Sequence, residues 1–310
     1  MILILLNWTY IFVTAFIAGF VISKIAERTI HRRMIPIDNI VLTGLIAVTV
    51  YAQFFSLLYK VGFVANGFLF LICIAALVFW RNELTSCLVG SIQKNTWLHT
   101  VLKITLIIFW SYCTSRGYIH YDSDLYHAQS IRWIEEYGIV KGLGNIHVRF
   151  AYNSSFFALS ALYSMKFLLK QSLHTVNGFL ALILSFEVLK LKEITVRKKV
   201  LLSDFARIGA FFYLTHIYDE IISPSSDYAI MCIIFLIVIK WIVQLETNRQ
   251  DIVPFALLCV AGTYAVSLKL TAGLILLLTL KPACSLLRQK QWKEITLYFL
   301  RGLLILLTWI

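Results

Sequence analysis

Charge is scarce in this sequence: Asp, Glu, Lys and Arg together supply 14% of its 310 residues, and the acidic residues number only 16. That excludes an ordinary water-soluble domain, whose surface is dominated by polar and charged side chains. Cysteine offers no framework either. The six cysteines, at 73, 87, 113, 232, 259 and 284, lie within apolar windows or at their edges with no Cys-x-x-Cys spacing. They read as small apolar core residues and carry no redox or metal inference. No internal repeat is visible, and the missing basic segment before the first apolar run argues against a cleaved signal peptide.

Hydrophobicity is what the chain has: 60% of its residues are hydrophobic and the mean hydropathy is +0.81. Apolar windows of about 17–25 residues, the length that crosses a bilayer as a helix, recur about ten times. Hydrocarbon cannot satisfy free backbone groups, and the windows are too long and uniform for barrel strands, so the spans are expected to be α-helices. The class is all-α, a polytopic integral membrane protein whose first partner is the lipid bilayer. The net charge of +12 is gathered in short clusters between windows. It therefore argues for topology, and no nucleic acid partner is expected.

The first window, about Ile2 to Ile22, is followed by Lys24, Arg28, Arg32 and Arg33, which places that end in the cytoplasm. Windows at about Asn39–Leu58, Phe63–Trp80 and Thr100–Cys113 then deliver an outer loop, 115–171. Phe156 to Leu169 is short and carries Ser160, Ser164 and Lys166. It reads as an interfacial helix, because only then does the next window send Lys190, Lys192, Arg197, Lys198 and Lys199 inside. Further windows alternate up to Arg288, Lys290 and Lys293. Three polar elements then share the outer face: the 115–171 loop, Tyr218-Asp219-Glu220 with Ser223-Pro224-Ser225-Ser226-Asp227, and the turn Ser267-Leu268-Lys269. The last window is still running at Ile310, which suggests a piece of a longer protein.

Within the outer loop, Leu125, Ala128, Ile131 and Ile134 recur at helical spacing and predict an amphipathic helix. Ser123 or Asp124 is placed to cap it, and Gly138 to end it in a left-handed conformation. Asn153-Ser154-Ser155 fits a glycosylation acceptor, but a helix cap is the expected role. The acidic pair Asp122 and Asp124 has a bland reading, as carboxylates favoured at a helix start. Against it stands the concentration of Asp122, Asp124, His127, Arg116, His147 and Arg149 within a few dozen residues of so uncharged a chain. Such clustering favours a site.

An acidic residue in a long outer loop just after a span, followed by surface helices and a second acidic outer loop, resembles the GT-C superfamily of membrane glycosyltransferases. More narrowly, Asp122-Ser123-Asp124-Leu125-Tyr126-His127-Ala128-Gln129, Trp133-Ile134-Glu135-Glu136-Tyr137-Gly138 and Asn145-Ile146-His147-Val148-Arg149-Phe150-Ala151-Tyr152-Asn153-Ser154-Ser155 resemble a group of bacterial GT-C-like membrane proteins. In that group the position of Asp122 is acidic and that of Asp124 is often glycine, so Asp122 ranks first. The resemblance covers about 100–310 and leaves 1–99 as an N-terminal three-span extension. It implies a GT-C-like helical bundle in a bacterial inner membrane, with amphipathic interfacial helices in its extracytoplasmic loop. It further implies a polyprenyl-phosphate-linked sugar as donor and a glycan or lipid acceptor.

On that resemblance Asp122, Asp124 and His127 are the catalytic candidates, with Asp122 as general base. Arg116, Gln129, His147, Arg149, Asp227 and Lys269 are the candidates for substrate binding. Lys269, Arg149 and Arg116 would stabilise the departing lipid phosphate. Asp227, or Asp219 or Glu220 in its place, would face the first carboxylate. Capping explains Asp227 without a site, and snorkelling explains Lys269. A divalent metal, magnesium or manganese, is compatible with the superfamily, though no ligand spacing here specifies one. The alternatives are a transporter or lipid-linked sugar flippase, and a non-catalytic polysaccharide-assembly subunit.

Overall fold

Long apolar runs without internal breakers satisfy their own backbone by coiling, and in the computed structural model every regular element among the described residues is helical. The structure describes residues 1–30, 37–92, 97–116, 120–247, 252–290 and 292–307. Arg32 and Arg33 lie outside the described residues. The α-helices are α1 (Ile2–Ile30), α2 (Ile37–Leu58), α3 (Phe63–Ile92), α4 (Trp97–Ser115), α5 (Ala128–Tyr137), α6 (Ser155–Tyr163) and α7 (Lys166–Leu169). They continue with α8 (Val176–Val188), α9 (Glu193–Arg197), α10 (Leu202–His216), α11 (Ser226–Glu246), α12 (Ile252–Leu268), α13 (Leu280–Arg288) and α14 (Trp292–Leu307). A ten-residue 3-10 helix, Leu270–Thr279, joins α12 to α13.

Five described helical stretches are long and apolar enough to cross a membrane: Ile2–Arg28, Asn39–Leu58, Phe63–Cys87, Ser226–Glu246 and Leu270–Arg288. Together with largely exposed apolar side chains such as Phe79, Val78 and Leu274, they mark a membrane protein. Several of the remaining windows form shorter helices. α8 has 13 residues and α10 has 15, so each rises only about 20 Å against a hydrocarbon thickness of about 30 Å.

One hydrophobic core draws on α1 to α4, α6, α8 and α10 to α12, so the N-terminal three helices are packed into the same core as the rest. Polar ties cross it. Asn7 Nδ2 donates to the Tyr163 carbonyl at 2.9 Å, Trp8 Nε1 to the Thr175 carbonyl at 2.9 Å, and Asn66 Nδ2 to the Leu162 carbonyl at 3.0 Å. α1 and α2 cross almost in backbone contact, since a Cβ on Gly44 would fall 1.6 Å from the Ala15 carbonyl oxygen. Small residues at such a crossing are what membrane helices use to approach closely. The cysteines are free, and Cys73, Cys113, Cys232 and Cys259 are buried as expected, whereas Cys284 is exposed.

The segment from Phe156 differs from its expectation. α6 ends at Tyr163, Met165 adopts φ 53°, and the four-residue α7 follows. At nine residues α6 is too short to cross, but all nine are buried, so it is an internal helix and not one lying on the surface. Ser155 and Ser160 form no polar stripe on it, and without a polar face it is enclosed.

Candidate functional site

The polar elements gather at one end of the bundle, where long-range hydrogen bonds tie them together. After α4, a π-type turn at Ser123–His127 leads directly into α5. Asp122 stands at its start with helical backbone angles, yet its side chain makes no capping bond. Oδ1 instead accepts from Arg149 Nη1 at 2.6 Å. Ser123 is no cap either: its hydroxyl donates to Ser223 Oγ at 2.9 Å. Gly138 ends α5 at φ 78°, ψ −151°, a positive-φ conformation other than the left-handed helical one expected, and a Cβ there would lie 2.6 Å from the Ser56 carbonyl oxygen, so both conformation and space require glycine.

Arg149 is aimed by its neighbours. His147 Nδ1 accepts from the Arg149 backbone N–H at 3.3 Å and starts the 3-10 turn Val148–Ala151. The guanidinium of Arg149 then lies 5.2 Å over the Tyr126 ring, a cation–π placement that fixes its plane beside Asp122.

A second carboxylate arrives from α11. Ser225 caps that helix by accepting from the Asp227 N–H at 3.1 Å, which leaves the Asp227 carboxylate to pair with Lys269. Capping therefore falls to Ser225, and Lys269 is paired, not snorkelling alone. Buried Asn177 at the start of α8 holds the loop: its Nδ2 donates to the carbonyls of Ser223 at 2.7 Å and Ser225 at 3.0 Å. The Lys269 turn is held as well, by Ser154 Oγ donating to the Leu268 carbonyl at 2.6 Å and by Ser155 Oγ and Ser267 Oγ at 2.9 Å. Ser154 caps α6 as expected. Tyr152 joins the two halves through its hydroxyl, 3.1 Å from Ser226 Oγ.

His127 sits beneath both pairs. It is 2% exposed, with Nδ1 3.5 Å from Ser223 Oγ, and burial pushes its pKa down to about 4. The carboxylates of Asp122 and Asp227 pull in the opposite direction without overcoming desolvation. His127 is therefore a neutral imidazole at pH 7, able to exchange a hydrogen bond but not to serve as a cation. The Ser123–Ser223 and Tyr152–Ser226 hydrogen bonds draw the segments carrying the two carboxylates together, and both carboxylates act on His127 and Tyr126. Asp219 and Glu220 are exposed in the preceding turn, whereas Asp227 pairs with Lys269.

The other expected residues stand apart. Arg116 lies 5.7 Å over the Tyr218 ring, Gln129 is exposed on α5, and Asp124 is exposed in the first turn. Among the described residues, no three His, Cys, Asp or Glu side chains converge as a metal-ligand set, and Asp122 and Asp227 each face a cation. Asn177 was not singled out from sequence as part of the site. Asn177 has a legible signal, an amide inside an apolar window, but nothing in the sequence names its partners.

A second charged cluster, also unforeseen, lies at the opposite end. There Arg207 joins Glu187 at 3.1 Å and Asp204 at 2.9 Å, with all three buried. Arg197, Lys190 and Lys240 approach the same carboxylates. Arg197 Nε, Arg207 Nε and Gln244 Nε2 are buried at this end without a partner among the described residues.

The chain thus combines an all-helical membrane bundle with a polar site at one end. It belongs to the family described as Domain of unknown function (DUF8201), whose profile matches residues 1–310. No curated protein and no solved structure matches it.

Proposed function

We propose that the protein is a membrane glycosyltransferase that moves a sugar from a polyprenyl-phosphate donor to a glycan or lipid acceptor. The setting is the extracytoplasmic face of a bacterial inner membrane, in surface polysaccharide or glycolipid assembly. The observation that carries this reading is the convergence of two carboxylate–cation pairs, Asp122–Arg149 and Asp227–Lys269, from four separate segments at one end of the bundle. A sugar hydroxyl is a poor nucleophile, and Asp122 would take its proton while the oxygen attacks the anomeric carbon. The bond from that carbon to the phosphate oxygen breaks, its electron pair leaves with the lipid phosphate, and the centre inverts. Arg149 and Lys269 would receive the charge that develops. Both pairs are partly exposed, where ion pairs are weak, so an entering phosphate can draw each cation away and free the carboxylate.

The test is a mass-spectrometric profile of lipid-linked sugars and surface glycans in cells lacking the protein, complemented with wild type or Asp122→Asn at matched membrane levels. Donor accumulation and a glycan short by one sugar with Asp122→Asn, as in the deletion, would support transfer through this carboxylate. Full rescue by Asp122→Asn would remove Asp122 as the base. A transporter or flippase is favoured by one observation, the buried Glu187–Arg207–Asp204 cluster, because ionisable groups within a bundle often mark a pathway.

A further inference from the structure

Away from the Asp122 centre, a cavity of about 340 Å³ opens beside the far end of α5, lined by Val61, Gly62, Glu135, Glu136, Ser164, Lys166, Phe167 and Lys170. Its volume falls within the range of small-ligand sites, roughly 300–1,000 Å³. Both signs of charge meet in it. Lys166 Nζ lies 3.5 Å from Glu135 Oε2 and also contacts Glu136, while Ser172 Oγ fixes the buried Glu135 carboxylate at 2.8 and 2.9 Å. Lys170, held in a left-handed conformation at φ 60°, has no carboxylate partner among the described residues. With Glu136 Oε1 held by Lys166 and by Arg132 Nε at 3.1 Å, the cavity offers the second oxygen of Glu136 and the Glu135 carboxylate on the α5 side and a free ammonium on the α7 side.

Its depth in the bundle is equally informative. Gly62 and Val61 belong to the turn between two membrane-length stretches, Asn39–Leu58 and Phe63–Cys87. Phe63, the first residue of the second, is 72% exposed and packs edge-on against Phe167 at 5.8 Å, and Leu168 beside it is 71% exposed. Apolar side chains that large, turned outward at the head of a span, belong against acyl chains. A charged cavity directly above such a rim is at the level of lipid headgroups.

We propose that this cavity binds the zwitterionic headgroup of a phospholipid bearing a primary ammonium. The ammonium would be taken by Glu136 and Glu135, the phosphate by Lys170 and Lys166, and the chains would run down past Phe63 and Phe167. A primary ammonium donates three hydrogen bonds to carboxylates, whereas a trimethylated one donates none. The site is independent of the transferase reading and survives its failure.

Native mass spectrometry of the full chain in detergent tests this, with phosphatidylethanolamine, phosphatidylcholine and phosphatidylglycerol added separately and soluble phosphoethanolamine as a fourth arm. Phosphatidylethanolamine should be retained at least about tenfold more than either other lipid, a difference of about 1.4 kcal/mol. Retention of the soluble headgroup alone would move the site to a water-borne ligand and overturn the lipid assignment. A Cβ on Gly62 meets nothing within 4 Å, so Gly62→Trp should fill the cavity and abolish the preference. Lys170→Glu, on the exposed rim, should lower retention independently should the tryptophan variant fail to fold. Equal retention of the three lipids, or a preference untouched by both variants, would overturn the proposal.

Discussion

Asn177→Leu isolates the clasp that presents the second carboxylate. The substitution keeps the branched side-chain outline, with bulkier methyl ends, at a position 1% exposed, and it removes two N–H donors from the carbonyls of Ser223 and Ser225. Each lost bond is worth about 0.5–1.5 kcal/mol net, and a carbonyl left dry costs about 1–3 kcal/mol. The total is on the order of 2–5 kcal/mol, trimmed because a loop at the bundle end can turn its carbonyls toward water. With about 2–4 °C per kcal/mol for chains of this size, the melting temperature in detergent should drop by roughly 4–20 °C. Asn177→Asp, which replaces the donor with an oxygen facing two carbonyls, should be at least as damaging. The assay is thermal unfolding of the purified protein followed by tryptophan fluorescence, paired with alkylation of a cysteine placed at Ser226. Loosening the loop should speed that alkylation. Melting within about 1 °C of wild type, with unchanged alkylation, would refute the claim that Asn177 holds the loop.

Gly44→Val should lower stability by about 1–3 kcal/mol or more through overpacking at the α1–α2 crossing, whereas Gly67→Ala, with nothing within 4 Å of its Cβ, should be neutral or stabilising. Equal melting of the two would contradict the crossing. His127 and His174 are both held neutral by burial, at about 4, against about 6.5 unfolded. Their folded values are depressed, so stability is full above about pH 6.5 and is lost as pH falls toward 4, where the unfolded chain takes up protons that the native state refuses. A melting temperature flat from pH 7 to 5 would count against both. Asp227 is half exposed, so Asp227→Asn and Lys269→Ala should each change stability by less than about 1 kcal/mol while strongly reducing use of a lipid-phosphate donor. Loss of fold without selective loss of transfer would make the pair structural.

Class and ends of elements were legible where a local physical rule governs them. Uniform apolar windows announce membrane helices, positive φ at Gly138 follows from its place after a periodic segment, and Ser154 caps α6 as its serine-rich context suggests. Asp122 shows where such rules stop. At a helix start its carboxylate has a ready local use, yet it turns to Arg149, 27 residues away, because that residue is itself seated on Tyr126. Asp227 is similar, with Ser225 taking the cap and Lys269, 42 residues on, taking the carboxylate. Partner choice over such separations depends on the packing of α6, α8 and α12 and has no periodic signature. The enclosure of α6 was hidden for the same reason, since a short apolar segment reads alike whether it meets lipid or neighbouring helices.

The cluster at the opposite end bears on which functional reading the fold favours. A transport pathway needs ionisable groups that change partners through a cycle, and the orphaned Nε atoms of Arg197 and Arg207 leave room for that. The carboxylates themselves are saturated, however. Glu187 receives Arg207 and Lys190 at 3.1 and 2.9 Å, while Asp204 receives Arg207, Arg197 and the Leu201 N–H at 2.9 to 3.1 Å. Breaking one such buried pair by removing a partner costs about 3–5 kcal/mol, so exchange within the cluster is expensive. The pairs at the other end are half exposed and single, and they open at small cost. The buried cluster therefore acts best as a brace on α8, α10 and α11. Two of those helices begin at the site end with Asn177 and Asp227, so rigidity at one end holds a readily opened site at the other.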